Sequence, residues 1–201
     1  MAVREQVARI FDLPPEKRPK LRALVERALE TLPPLDGKPI RIILKPDLHA
    51  YRGKLLSRGD RGTPVHAGSF LRRRETVLDS ELAGNKAEFA RILLHEIFHF
   101  VWLRAGNPAR KSFEALLAVE LRRHARGELG WSAAISKKRL SSRDVRNRTR
   151  LWREYVCESF CDTAAWRYVG IRRHPEFTLA PAFHRARRGW FTQFDAGRIL
   201  I

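Results

Sequence analysis

ILLHEIFHFVW, residues 92–102, sets two histidines and a glutamate in an otherwise unbroken apolar run. Polar groups are costly in such a setting unless something pairs with them. His95 and His99 are four residues apart, so on a helix they share a face and can offer both imidazoles to one metal ion. Glu96 follows the first of them and can take a proton from a water that the metal activates. A buried helix whose histidines bond to backbone or carboxylates is the plainer alternative. Two histidines at this spacing around a glutamate favour a metal, and zinc is the expected ion.

Around this run, residues 85–104 read as one helix, opened by Asn85 and closed by AGNP. Just upstream, SFLRRRETVLDSEL (69–82) alternates well enough for one or two strands, with Thr76, Val77 and Leu78 its best part. KPIRIILKP (38–46) is a short strand bounded by prolines. Between the two, residues 49–68 are rich in glycine and charge and read as a loop or an irregular hairpin. Near the N-terminus, EKRPKLRALVERALETLPP is a helix with Leu21, Leu24, Val25, Ala28, Leu29 and Leu32 on one face. Downstream, residues 108–130 form another helix. Ser141 and Ser142 can then cap a long helix running to about Tyr168, and the tail beyond Gly170 reads as irregular with aromatic anchors. The order implies an α+β fold, with a small mixed sheet beside the motif helix and a helical C-terminal half. The expected organisation is one domain over 1–201, with 1–35 as a helical arm and 122–153 as a basic insertion.

A catalytic zinc commonly has three protein ligands. REYVCESFCDTAAW, residues 153–166, offers the third in Glu158, four residues before Asp162 on one helix face. Asp162 can accept the remaining N–H of a ligand histidine and so fix its tautomer. Glu154 lies one turn before Glu158, but it follows Arg150 and Arg153 and suits a surface ion pair. Cys157 and Cys161 share the i, i+4 spacing; small buried side chains are the expectation for them. His174, His184, Tyr155 and Tyr168 are left as candidates for a further ligand or for stabilising the transition state.

HEIFH followed by ESFCD resembles the zinc metallopeptidases called gluzincins, whose pattern is HExxH and then ExxxD or ExxAD on a later helix. The resemblance covers about residues 68–105 and 150–169. It implies His95, His99 and Glu158 as ligands, Glu96 as general base and Asp162 behind a ligand. It also implies a zincin-like fold in which a sheet edge beside the motif helix pairs with an extended peptide or protein substrate. ETVLDSEL is the expected edge.

The net charge of +18 is uneven, and residues 122–153 hold the densest basic stretch. Arg122, Arg123, Lys137, Lys138 and Arg139 are the candidates for weak, sequence-independent nucleic-acid contact. A catalytically silent zincin-like binding or regulatory protein, associated with nucleic acid through that surface, is the rival to a peptidase. Two cysteines in 201 residues give no disulfide framework, and no run is apolar enough to span a membrane. The first twenty residues mix charge into every apolar stretch, unlike a signal peptide. A cytoplasmic protein is the default expectation.

Overall fold

In the computed structural model, residues 3–15, 18–59, 61–195 and 197–201 are described. Helices α1 (Val3–Ile10) and α2 (Arg18–Ala28) come first, with the short strand β1 (Phe11–Asp12) between them. β2 (Leu35–Asp36), β3 (Ile40–Lys45), β4 (Leu48–Tyr51), β5 (Lys54–Ser57), β6 (Thr63–Pro64), β7 (Ala67–Phe70) and β8 (Glu75–Asp79) follow. The rest is helical: α3 (Lys86–Arg104), α4 (Asn107–Arg122), α5 (Trp131–Lys138), α6 (Ser142–Asn147), α7 (Arg150–Tyr168) and α8 (Pro181–Phe194), closed by β9 (Ile199–Leu200). The fold is α+β with small sheets.

The main sheet has the order β1-β3-β8-β7. β1, β3 and β8 are parallel, and β7 runs antiparallel to β8, with Ala67 opposite Leu78 and Phe70 opposite Glu75. The expected edge, ETVLD, is therefore an inner strand, and the edge is Ala67–Phe70. The pattern of β8 explains the misplacement. Val77 and Leu78 are buried with Thr76 and Asp79 between β3 and β7, and such a run marks a strand covered on both faces. Residues 49–57 form a regular hairpin, β4 with β5, extended by β6.

α3 is buried nearly all round. Phe89, Leu93, Leu94, Ile97, Phe98 and Phe100 have no exposed surface, and Asn85 caps the helix by accepting the Glu88 N–H at 3.2 Å. Full burial of one such side chain contributes about 1.5–3 kcal/mol. The rings of Phe98, Phe113, Phe160 and Phe191 meet at centroid distances of 5.2–6.2 Å, joining α3, α4, α7 and α8. Val7, Ile10, Leu21, Val25 and Leu29 belong to the same core, so the described part of residues 1–35 is packed into the body rather than extended as an arm.

Two other expectations need correction. Ser141 caps only α6, through a reciprocal box with Asp144; Arg148 then turns left-handed (φ 48°) and α7 starts afresh after Thr149. The tail is not irregular: Pro181 opens α8, which buries Phe183, Arg187 and Phe191 at helical spacing. The 122–153 segment, expected as a basic insertion, contains α5, α6 and the start of α7, and α5 packs against α7. Among the described residues no helix is long and apolar enough to cross a membrane.

Candidate metal centre

Among the described residues α3 and α7 are the most extensively packed pair of elements. Small residues on α7, Cys161, Ala164 and Ala165, are buried where the two helices approach. The approach brings His95 and His99 from α3 to Glu158 and Asp162 from α7. His95 Nε2 lies 3.1 Å from His99 Nε2 and 3.3 Å from Glu158 Oε2, while His99 Nε2 lies 4.0 Å from the same carboxylate oxygen. Zinc bonds of about 2.0–2.2 Å in a tetrahedron place nitrogen and oxygen ligands about 3.3–3.6 Å apart. The three observed separations bracket that range, so these donor atoms could hold one such ion.

The outward atoms are held. His95 Nδ1 donates to Asp162 Oδ1 at 2.7 Å, and Asp162 Oδ2 accepts the Ala133 N–H at 2.8 Å. Asp162 is thus gripped between α3 and the first turn of α5, where exposed N–H groups and the helix dipole favour a carboxylate. Gly130 makes the grip possible: a β-carbon there would stand 2.2 Å from Asp162 Cγ. His99 Nδ1 lies 3.6 Å from Cys157 Sγ. Glu154, one turn before Glu158, is paired with Arg150 at 2.6 Å on the surface.

The local field favours positive charge. Burial pulls the His99 imidazole down, but its bond to Cys157 and the Glu158 charge outweigh this and raise it to about 9. His95 is likewise opposed by burial yet held well above the ordinary range by Asp162 and Glu158. Burial pushes Glu158 up, while the two histidines pull it down to about 2. Two imidazole nitrogens 3.1 Å apart cannot both carry a proton between them. A divalent cation answers the same field without that conflict.

Glu96 lines a cavity of about 240 Å³ together with His95, Arg91, Trp131 and residues 64–67. Among the described residues no group bonds its carboxylate. Its backbone is tied to the sheet edge, where Ser69 Oγ donates to the Glu96 carbonyl at 3.5 Å. Arg91 is consumed by Glu88 and by Glu176, the latter at 2.8 Å. Trp131 stands at the rim, 54% exposed, with its backbone N–H donating to Glu176 Oε2. Gly130, Trp131, Ala133 and Glu176 escape the motif reading because no catalytic pattern contains them.

The remaining candidates lie apart from the three donor atoms. His184 bonds the Leu179 carbonyl, Tyr155 donates to Glu128, and Tyr168 donates to Asp195. His174 pairs with Glu88 behind Arg91. Of the basic candidates, Arg122, Arg123, Lys138 and Arg139 are exposed. Lys137 is not free: it is 2.9 Å from the buried Glu128 carboxylate and also donates to the Gly127 carbonyl, because an uncompensated Glu128 would be costly there.

No protein-family model matches the chain, and no curated protein and no solved structure is significantly similar to it.

Proposed function

We propose that the chain is a zinc-dependent peptidase with a zincin-like fold of the gluzincin kind. His95, His99 and Glu158 are its metal ligands and Glu96 is its general base. The observation that carries this reading is the convergence of three donor atoms from two helices, one of them on His95, which lines a cleft together with Glu96. Zinc bound there supplies Lewis-acid polarisation of the scissile carbonyl and lowers the pKa of the attacking water.

The chain's own groups do the rest. Glu96 takes the proton of the attacking water and delivers it to the leaving amine. Asp162 keeps the His95 lone pair aimed at the metal. β7 is an edge strand whose first residue, Ala67, lines the cleft, and an extended peptide substrate adds to it as a further antiparallel strand. Exposed Arg122, Arg123, Lys138 and Arg139 support weak contact with a nucleic acid as an accessory property, one that falls steeply with salt.

The test is metal analysis of protein purified without added metal, with peptide hydrolysis measured for wild type and Glu96→Gln. One zinc per chain is expected in both. Activity is expected to fall about 10²–10⁴-fold in the variant, the usual contribution of a positioned general base. Wild type that binds no zinc ends the reading. Zinc-loaded wild type that cleaves no peptide, with any cellular effect preserved in Glu96→Gln, gives the site to a silent binding protein.

A further inference from the structure

Each histidine of the centre turns one nitrogen toward the other and one nitrogen away. Behind His95 stands a carboxylate, Asp162. Behind His99 stands sulfur: Nδ1 is 3.6 Å from Sγ of Cys157, the residue immediately before Glu158. Cys157 is half-buried. Cys161, one turn further on, is wholly buried, and both thiols are free. His99 Nδ1 and the two sulfurs all lie within 4.8 Å of one another.

Two thiols and an imidazole are also a ligand set for a soft metal. The chemistry of His99 argues against that occupant. A neutral imidazole has one lone pair and one proton. His99 Nε2 lies against His95 Nε2 and the Glu158 carboxylate, and if it ligates there, Nδ1 carries the proton and can only donate. The sulfur at 3.6 Å is then placed as its acceptor.

We propose that Cys157 is the positioning residue for His99, accepting the Nδ1 proton so that the Nε2 lone pair faces His95 and Glu158, with Cys161 supporting Cys157 from the next turn of α7. The proposal rests on the metal-centre reading above, because without a metal the His99 Nε2 would itself carry a proton toward the bare His95 Nε2, 3.1 Å away. Cys157 does for His99 what Asp162 does for His95, with a softer and more distant acceptor. Because Cys157 and Glu158 are consecutive on one helix, any slip of α7 against α3 would disturb the ligand and the acceptor together.

Full-length Cys157→Ala, Cys157→Ser and Cys161→Ala proteins test the assignment by two readouts. NMR of the His99 ring nitrogens in zinc-loaded protein reports directly whether the Nδ1 proton is hydrogen-bonded. It is expected to be held and slow to exchange in wild type and to exchange faster in Cys157→Ala. Zinc affinity, from competition with a chelator, is expected to fall about 10–100-fold in Cys157→Ala, as for other partners behind a metal ligand. Cys157→Ser, which keeps a shorter-reaching acceptor, should recover part of that loss. Cys161→Ala should lose less than Cys157→Ala. An Nδ1 proton equally protected in well-folded, zinc-loaded Cys157→Ala overturns the proposal. So does a thiolate-to-cobalt charge-transfer band in cobalt-loaded wild type that vanishes in Cys157→Ala, which would make Cys157 a ligand. Wild type that binds no zinc sinks the metal-centre reading, whereas zinc held equally tightly by wild type and well-folded Cys157→Ala sinks the positioning role alone.

Discussion

α7 carries two buried polar clusters on adjacent faces, and they are built on opposite plans. One is the candidate centre with Glu158 and Asp162. The other lies under Tyr155, Ser159 and Thr163 and is organised by Arg187 of α8, which has no exposed surface. Arg187 donates to Glu120 at 2.6 and 2.8 Å, to Glu128 at 3.2 Å, to Ser159 at 2.6 Å and to Thr163 at 2.7 Å. Tyr155 and Lys137 complete Glu128. Two carboxylates meet two cations, and each donor has an acceptor. In the centre, by contrast, pairing occurs only on the outside. The inner side brings His95 Nε2, His99 Nε2 and Glu158 Oε2 to within 3.1–4.0 Å of one another. A closed network binds α4, α5, α7 and α8 to one another; a network closed on one side only is a place for something else. Burial and unusual titration alone do not separate the two, since Glu128 is also held below the ordinary carboxylate range, by Arg187 and Lys137 against the effect of burial.

The strongest way to break this contrast is to open the closed cluster. Arg187→Met keeps most of the volume but leaves Glu120 and part of Glu128 unpaired. Breaking a buried pair in this way costs about 3–5 kcal/mol. For a chain of this length that lowers the thermal midpoint by on the order of 10 °C. Adding Glu120→Gln and Glu128→Gln should recover part of the loss, because the orphaned charges go with the cation. Glu158→Ala in metal-free protein should lower the midpoint less than Arg187→Met does, because Glu158 is 27% exposed and water takes up part of what it gave the two histidines. If Arg187→Met unfolds at the wild-type temperature, the closed cluster is not what ties these helices together.

The same contrast explains what was legible in the sequence. α3 and the second half of α7 were readable because their polar groups stand at helical spacing within apolar runs, so that the pattern and its exceptions pointed the same way. α8 was not, because Arg187 occupies a core position between Phe183 and Phe191 and makes a buried stripe read as surface. Its partners Glu120 and Glu128 are 67 and 59 residues away, beyond any local pattern. The sheet edge was misassigned because β7 is Ala-Gly-Ser-Phe, with no β-branched residue; Gly68 is small because Leu55 lies against it, 3.3 Å from where a β-carbon would be. The grip on Asp162 was invisible for a different reason. It comes from the backbone of Ala133 and from the missing side chain of Gly130, neither of which carries a chemical signature.

That grip supplies a smaller and sharper test. Gly130 has extended backbone (φ −177°), which any residue can adopt, so its role is purely one of space. In Gly130→Ala the new methyl group meets the Asp162 carboxylate, and either Asp162 or the start of α5 must move. Asp162 would leave His95 Nδ1, and zinc affinity should fall about 10–100-fold, close to the effect of Asp162→Ala. The two changes should not add when combined, because they remove one interaction. Gly130→Ala protein that binds zinc as tightly as wild type would show that α5 yields without disturbing the centre.

The smallest expected effect is the most discriminating between two equivalent-looking residues. Glu154 and Glu158 are one helical turn apart on α7, and spacing alone gives either of them to the centre. Their surroundings differ. Glu154 has 38% of its side chain exposed and is paired with an Arg150 that is 87% exposed. Such i, i+4 surface pairs are worth about 0.3–0.5 kcal/mol, and losing one alters an equilibrium by only about twofold. Glu158 sits against both imidazoles, with Asp162 a turn further on to orient His95. Glu154→Ala should therefore keep zinc affinity within about two- to threefold of wild type and leave stability almost unchanged. Glu158→Ala should cost orders of magnitude in affinity, since two histidines and water are left to hold the ion. Metal titration of the pair settles the ligand. A larger loss for Glu154→Ala than for Glu158→Ala would mean that α7 sits one turn further along α3 when metal is bound, and with it would go the assignment of Asp162 to His95.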